Sequence, residues 1–331
     1  MKHKKGITAA SLLLLLAVLL FAVSSLRPRT TVVELSNPPR KAEAVGAHFY
    51  ADQLTGRERE VYEEIEGRLK RLEGGMVSCD PPLTLREYAR VIACLIYEDY
   101  ENAYAVPLCG LDAENRQVEL PMEDPDNSTP VITNILLNTW SSVFREEQMQ
   151  TAEDGRILNL DDCVRALEQN DPDRVREIAQ KRAEISRMLQ EVVDGLPRDA
   201  GQRDAVEYFA TWIHQNIIYD WDTYKEHQGN KYPMEKLFEV YYTPSSTAAV
   251  LEGKAMCVGF AKLLSYFCNE AGVDAHIVFS AGTGANHALT AVTIDGVTAY
   301  IDLSSTPKDL VVYMDEVSML RLATPALYFA Y

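Results

Sequence analysis

The sequence contains no Cys-x-x-Cys pair, no His-Glu-x-x-His, no Gly-x-Ser-x-Gly and no P-loop. The usual marks of zinc hydrolysis, of a serine nucleophile on an elbow and of nucleotide phosphate binding are therefore missing. Internal repeats and low-complexity tracts are missing too. With 47% hydrophobic and 24% charged residues the composition is that of a globular chain, neither disordered nor fibrous. At 331 residues there is room for one large domain or two ordinary ones with a full core.

Acidic residues are absent from the first thirty positions, which carry Lys2, Lys4, Lys5, Arg27 and Arg29. Setting those five aside leaves 27 basic residues against 49 acidic ones, a formal net charge of −22. So acidic a body repels phosphate backbones, and nucleic acid is not expected as a partner. Between the two basic flanks, Ile7 to Leu26 is a run of twenty uncharged residues. As a helix it would span about 30 Å, the thickness of a bilayer core. Lys2, Lys4 and Lys5 favour a cytoplasmic N-terminus, so the body is expected outside the membrane. The run reads either as an uncleaved anchor or as a signal peptide, since Ala22, Ser24 and Ser25 permit cleavage. No cysteine lies near its end, which argues against a lipoprotein anchor.

The six cysteines stand at 79, 94, 109, 163, 257 and 268, none at zinc-ligand spacing. Export would permit disulfides, and a Cys79–Cys109 pair is conceivable. Cys94, inside the apolar run Val91-Ile-Ala-Cys-Leu-Ile96, reads as a small core residue, and free thiols are the expectation.

Residues 1–30 are thus a membrane or signal segment, and 31–50, with Pro, Arg and Thr, read as a linker. A mostly helical region follows over 51–195. Thr55 with Glu58 and Thr84 with Glu87 form capping-box pairs. The first precedes Val61, Ile65, Leu69 and Leu72 at helical spacing, the second Tyr88 to Tyr97. Residues 103–140 could hold one or two strands, interrupted by a polar loop at Glu123 to Pro130. Asp171-Pro172 opens the longest helix, striped by Val175, Ile178, Ile185, Leu189 and Val192 and ended by Gly195. A second helix is expected from about Asp204 to Ile218, and the chemistry gathers in the last part, 196–331.

There, Lys254 to Gly272 reads as a helix with Cys257 in its first turn. A helix N-terminus carries free N–H groups and about half a positive charge, which favours thiolate over thiol and can receive an oxyanion. Ala275 to Ser280 reads as a strand. His287 to Ile294 and Val297 to Leu303 flank Asp295-Gly296, a two-residue hairpin turn. With that turn Ile294 pairs with Val297, Leu289 opposes Asp302, and His287 opposes Ser304. His287 and Asp302 then share a face as diagonal neighbours. A cysteine at a helix start, with a histidine and an aspartate on one hairpin face, has the parts for nucleophilic acyl transfer through a thioester. Cys268, near the far end of the same helix, reads as core. His276 and His214 are the other candidate bases, His214 reading as a surface residue. Asp220-Trp-Asp222 is a weak cation signal.

Gly253-Lys-Ala-Met-Cys-Val-Gly-Phe260, Asn286-His-Ala288 and Ala299-Tyr-Ile-Asp302 together resemble the three signature blocks of the transglutaminase-like superfamily. The resemblance extends over about residues 203–305, including Asn216-Ile-Ile-Tyr-Asp220, and is similar to that of bacterial exported members. It implies an α+β fold: a papain-like core, with the Cys-bearing helix packed on an antiparallel sheet, preceded by the mostly helical region. It implies Cys257 as nucleophile, His287 as base and acid and Asp302 as orienter, acting on a protein or peptide amide. Water as acceptor would make a peptidase or amidase, a lysine amine a crosslinking enzyme. The mechanism requires no cofactor or metal. Many relatives have Trp where Leu289 stands, and Pro-Thr near Leu303-Ser-Ser305. These departures motivate the alternative of an inactive peptide-binding or envelope-assembly module.

Overall fold

The computed structural model describes residues 31–35, 48–98, 105–118, 130–227, 246–280, 287–308, 310–316 and 319. The apolar run at 7–26 and most of the polar loop at 123–130 lie outside the described residues. Among the described residues no helix is long and apolar enough to cross a membrane.

The chain first forms strand β1, Thr31–Leu35, and a short 3-10 turn, Ala51–Gln53. Helix α1, Gly56–Lys70, starts from the Thr55–Glu58 capping box and buries Val61, Tyr62, Ile65 and Leu69. After β2, Gly75–Leu83, helix α2, Leu85–Tyr97, starts from the second box. There the Glu87 N–H donates to Thr84 Oγ1 at 3.2 Å and the Thr84 N–H to Glu87 Oε2 at 2.7 Å. This box satisfies two backbone donors reciprocally, whereas in the first the Thr55 N–H donates to Glu58 Oε2 at 3.2 Å and the Glu58 N–H to the Thr55 carbonyl at 3.1 Å.

Strands β3, Ala105–Leu111, β4, Gln117–Val118, and β5, Ile132–Thr139, complete an antiparallel sheet with β2 in the order β2-β5-β3-β4. Alternate residues of β5 feed two cores. Ile135 and Leu137 pack with the α1 and α2 side chains, whereas Leu136 joins Cys163 and Leu167 of helix α3, Leu160–Glu168. The region expected to be mostly helical is therefore helices on a four-stranded sheet. Proline hides the strands. Pro81 and Pro82 sit in β2, an edge strand whose register shifts between Ser78 and Leu83. Pro107 sits in β3, where the register shifts before Cys109. Those breaks erase the period-2 pattern from which strands are read.

Helix α4, Pro172–Asp194, has the Asp171 carboxylate accepting from the N–H groups of Asp173 and Arg174, proline at its first turn, and Gly195 as its C-cap. Then come α5, Gln202–Asn216; β6, Ile218–Tyr219; α6, Trp221–His227; α7, Ala249–Glu252; β7, Lys254–Ala255; and α8, Cys257–Glu270. Strands β8, Ala275–Ser280, β9, His287–Ile294, β10, Val297–Ile301, and β11, Leu310–Met314, follow. The second sheet runs β1-β11-β10-β9-β8, antiparallel except that β1 adds parallel to β11. Residues 31–35, read as linker, are thus an edge strand. Their partner lies some 280 positions along the chain, and pairing at that separation leaves no local signal.

Helix α8 lies on β8 and β9. At its far end Asn269 Nδ2 donates to the Ala275 carbonyl at 2.8 Å and its Oδ1 accepts from the Ala275 N–H at 3.0 Å, tying helix to sheet. Phe267 of α8 stacks on Phe209 of α5, ring centroids 5.2 Å apart. Ile178, Ile185, Leu189 and Val192 of α4 share this core. The boundary drawn between 195 and 196 therefore passes between elements that bury one another. Each large apolar side chain so buried contributes about 1.5–3 kcal/mol.

Candidate active site

The position of Cys257 is set by a short parallel pairing. The Ile218 N–H donates to the Gly253 carbonyl and the Asp220 N–H to the Ala255 carbonyl, each at 2.9 Å. Gly253, at φ 66, supplies the left-handed turn that ends α7 and permits this approach. Met256 is extended, and α8 begins at Cys257. In the first helical turn the Cys257 N–H has no partner within the helix. Its side chain is 8% exposed and packs with Ala261, Ile277 and Ala288, beside Tyr219.

The hairpin has the expected register. Asp295 and Gly296 both have positive φ, 52° and 77°, as a type I′ turn requires, and Val297 pairs with Ile294. Ile301 pairs with Thr290, so Asp302 emerges beside His287. His287 Nε2 and Asp302 Oδ2 are 2.8 Å apart. The other carboxylate oxygen accepts from the Ser304 N–H at 3.1 Å, the Ser304 hydroxyl at 2.8 Å and the Ser305 N–H at 3.2 Å. Ser304 and Ser305 thus fix the carboxylate that orients the ring.

The His287 ring interacts with the Cys257 side chain as well as with Asp302. The bond to Asp302 and then the Cys257 side chain, opposed by burial, push the imidazole up to about 10. Burial works against ionisation of Asp302, but the bond and charge of His287 and donation from the serines hold it below the usual carboxylate range. The three residues singled out by sequence stand together, and the ring carries its proton at neutral pH.

The other candidates lie elsewhere. His214 is buried, 2% exposed, with Nε2 3.0 Å from the Leu303 carbonyl, and is not a surface residue. Its helix packs on the C-terminal half, which the sequence of α5 alone does not reveal. His276 stacks on Phe49 at 4.0 Å, and burial depresses its imidazole to about 3. Cys268 is fully buried and its thiol is pushed up by that burial. All six cysteines are free thiols, Cys79 and Cys109 included. Asp220 caps α6, accepting from the Thr223 N–H at 3.1 Å and the Thr223 hydroxyl at 2.8 Å. Leu289 packs with Val278, Ala291 and Met319, and Leu303 joins the main core. Sequence reasoning missed Tyr219, which packs beside Cys257. Its signal was its place in the Asn216–Asp220 block.

Residues 188–327 match the family model described as a transglutaminase-like domain. Among solved structures, a transglutaminase is 20% identical over 43% of this chain and 44% of its own, with a TM-score of 0.32. A Cytophaga hutchinsonii protein, provisionally described as a cysteine protease, is 15% identical over 55% of both chains, TM-score 0.25. A Parabacteroides distasonis protein, provisionally described as a protease, is 16% identical over 61% of this chain and 39% of its own, TM-score 0.24. The chain therefore spans about half, or less, of the length of these structures. No curated protein sequence matches it. Residues 188–327 of this chain are thus similar to a transglutaminase-like domain, and the fold is α+β.

Proposed function

We propose that this protein is a cysteine enzyme that transfers an acyl group from a protein or peptide amide, by way of a thioester on Cys257. The observation that supports this reading is a single ring, His287, 2.8 Å from Asp302 Oδ2 and in interaction with the Cys257 side chain. In the reaction the thiol proton resides on His287 and the sulfur attacks the amide carbon. The oxygen that becomes negative meets the Cys257 N–H at the helix start. The C–N bond then breaks, His287 passes its proton to the leaving amine, and the thioester remains. Water or a second amine attacks it, with His287 now taking the proton, and Cys257 is released. Asp302 holds the ring and its positive charge throughout. We favour water as acceptor and peptide processing as the task. Lys2, Lys4 and Lys5 ahead of the Ile7–Leu26 run support a place outside the membrane, either tethered or released.

Iodoacetamide labelling followed by peptide mass spectrometry tests the nucleophile. Cys257 is expected to label first among the six thiols at neutral pH, and about 10²-fold more slowly in His287→Ala. Labelling of Cys257 no faster than a free thiol such as glutathione would remove the enzyme reading.

A further inference from the structure

Strand β10 ends at Ile301, so sheet pairing stops one residue before the carboxylate that orients His287. The turn that follows, 302–306, carries its own bonds. Ser304 and Ser305 donate to Asp302 Oδ1, and the Thr306 hydroxyl donates to the Asp302 carbonyl at 2.9 Å. Bonds internal to a turn fix its shape but not its place on the protein. A bond from outside supplies that place. His214, in the last turn of α5, has Nε2 3.0 Å from the carbonyl of Leu303, the residue next to Asp302. A carbonyl only accepts, so this ring nitrogen carries a hydrogen and donates it. The Thr306 oxygen, whose own hydrogen is directed to Asp302, lies 3.4 Å from the same nitrogen and presents a lone pair to it. His214, Leu303 and Asp302 are all buried, so bulk water does not replace a lost donor. Helix α5 is itself fixed, because its Phe209 stacks on Phe267 of α8, the helix that begins at Cys257. One helix thus braces both the cysteine helix and the turn that bears Asp302.

We propose that His214 is a positioning residue. Through the Leu303 carbonyl, and together with Thr306, it holds the 302–306 turn where Asp302 meets the His287 ring. This rests on the cysteine acyl-transfer reading, in which that ring must stay aligned on Cys257. A turn released from α5 keeps its internal bonds but shifts as a unit, carrying the carboxylate away from Nε2 of His287.

Two measurements on the full chain test it. One is the His287 titration, followed by nuclear magnetic resonance of histidine-labelled protein and identified by the signal lost in His287→Gln. The other is p-nitrophenolate release as p-nitrophenyl acetate acylates Cys257. In wild type the ring is expected to titrate at about 10. His214→Phe keeps a flat ring and removes the donor. It is expected to lower the His287 midpoint by about one pH unit, a roughly tenfold weaker hold on the proton. Acylation is expected to slow by up to about 10²-fold. His214→Gln places an N–H equally far along the side chain and is expected to restore both. Asp302 and Cys257 act on the His287 ring, and neither changes in these variants. A midpoint unmoved in His214→Phe would make His214 a packing residue and overturn the proposal, whatever the rate. Equal loss in His214→Phe and His214→Gln would overturn it too. If His214→Phe loses its circular dichroism, Thr306→Val decides, since the midpoint must fall there as well and an unchanged one overturns the proposal. Wild type that is not acylated at Cys257 would remove the acyl-transfer reading, while a midpoint that still falls in His214→Phe upholds the positioning of Asp302.

Discussion

His287 Nε2 lies 2.8 Å from Asp302 Oδ2, while Asp302 Oδ1 is held by Ser304 and Ser305. One oxygen anchors the carboxylate and the other orients the ring. Asp302→Asn keeps the size and loses the charge that stabilises the imidazolium. Acylation of Cys257 is expected to fall steeply, toward the roughly 10⁴-fold loss that this change causes in serine-protease triads. Ser304→Ala removes one hydroxyl donor and leaves two backbone donors. It is expected to cost about 1 kcal/mol, hence less than tenfold. Stopped-flow p-nitrophenolate release on the two variants checks both values.

The protonated ring also links pH to stability. His287 is pushed up to about 10 by its bond to Asp302, then by Cys257, against burial. Unfolded, it titrates near about 6.5. The folded state binds the proton more tightly, so the contribution is full below pH about 6.5 and lost as pH rises through about 10. In urea titrations the advantage of wild type over His287→Gln should be largest near pH 6 and shrink toward pH 10. An advantage that grew over this interval would contradict a protonated ring.

Glu98 has the opposite origin but the same sign. It accepts from the Ala51 N–H at 3.2 and 3.1 Å and from that of Tyr50, yet burial dominates and pushes its carboxyl up to about 8. Between about 4.5 and about 8 the folded state holds a proton that the unfolded chain has released. Stability therefore falls as pH rises, by at most about 1.4 kcal/mol per pH unit. Glu98→Gln keeps an acceptor for the backbone and removes the titration. Its stability should be flatter than wild type between pH 5 and 8 in the same urea titrations.

Leu189 is 4% exposed in the core shared by α4, α5 and α8. Leu189→Ala is expected to cost about 2–5 kcal/mol. Because the core is shared, Cys257 labelling and tryptophan fluorescence should be lost at one denaturant midpoint. A fragment beginning at 196 lacks the four buried α4 side chains, and circular dichroism is expected to show it unfolded.

Local chemistry was legible because its causes are local. Thr84 and Glu87 satisfy each other's backbones within one turn, Asp295-Gly296 allows the positive φ of a type I′ turn, and that turn fixes every pairing from Val297 to Ile301. The proximity of His287 to Asp302 follows from that register. The sheet in the first half was less legible, since Pro81, Pro82 and Pro107 break the alternation that marks a strand.

The sequence by itself determined that Cys257 opens a helix and that a histidine and an aspartate share one hairpin. Turn chemistry, caps and side-chain periodicity act over a few residues. Tertiary structure alone decided that the hairpin delivers His287 to Cys257, that His214 is buried, that 31–35 closes the sheet beside 310–314, and that Tyr219 packs beside Cys257. Those relations join segments far apart in sequence. Their geometry follows from packing α8 against β8 and β9, and packing depends on the whole core at once.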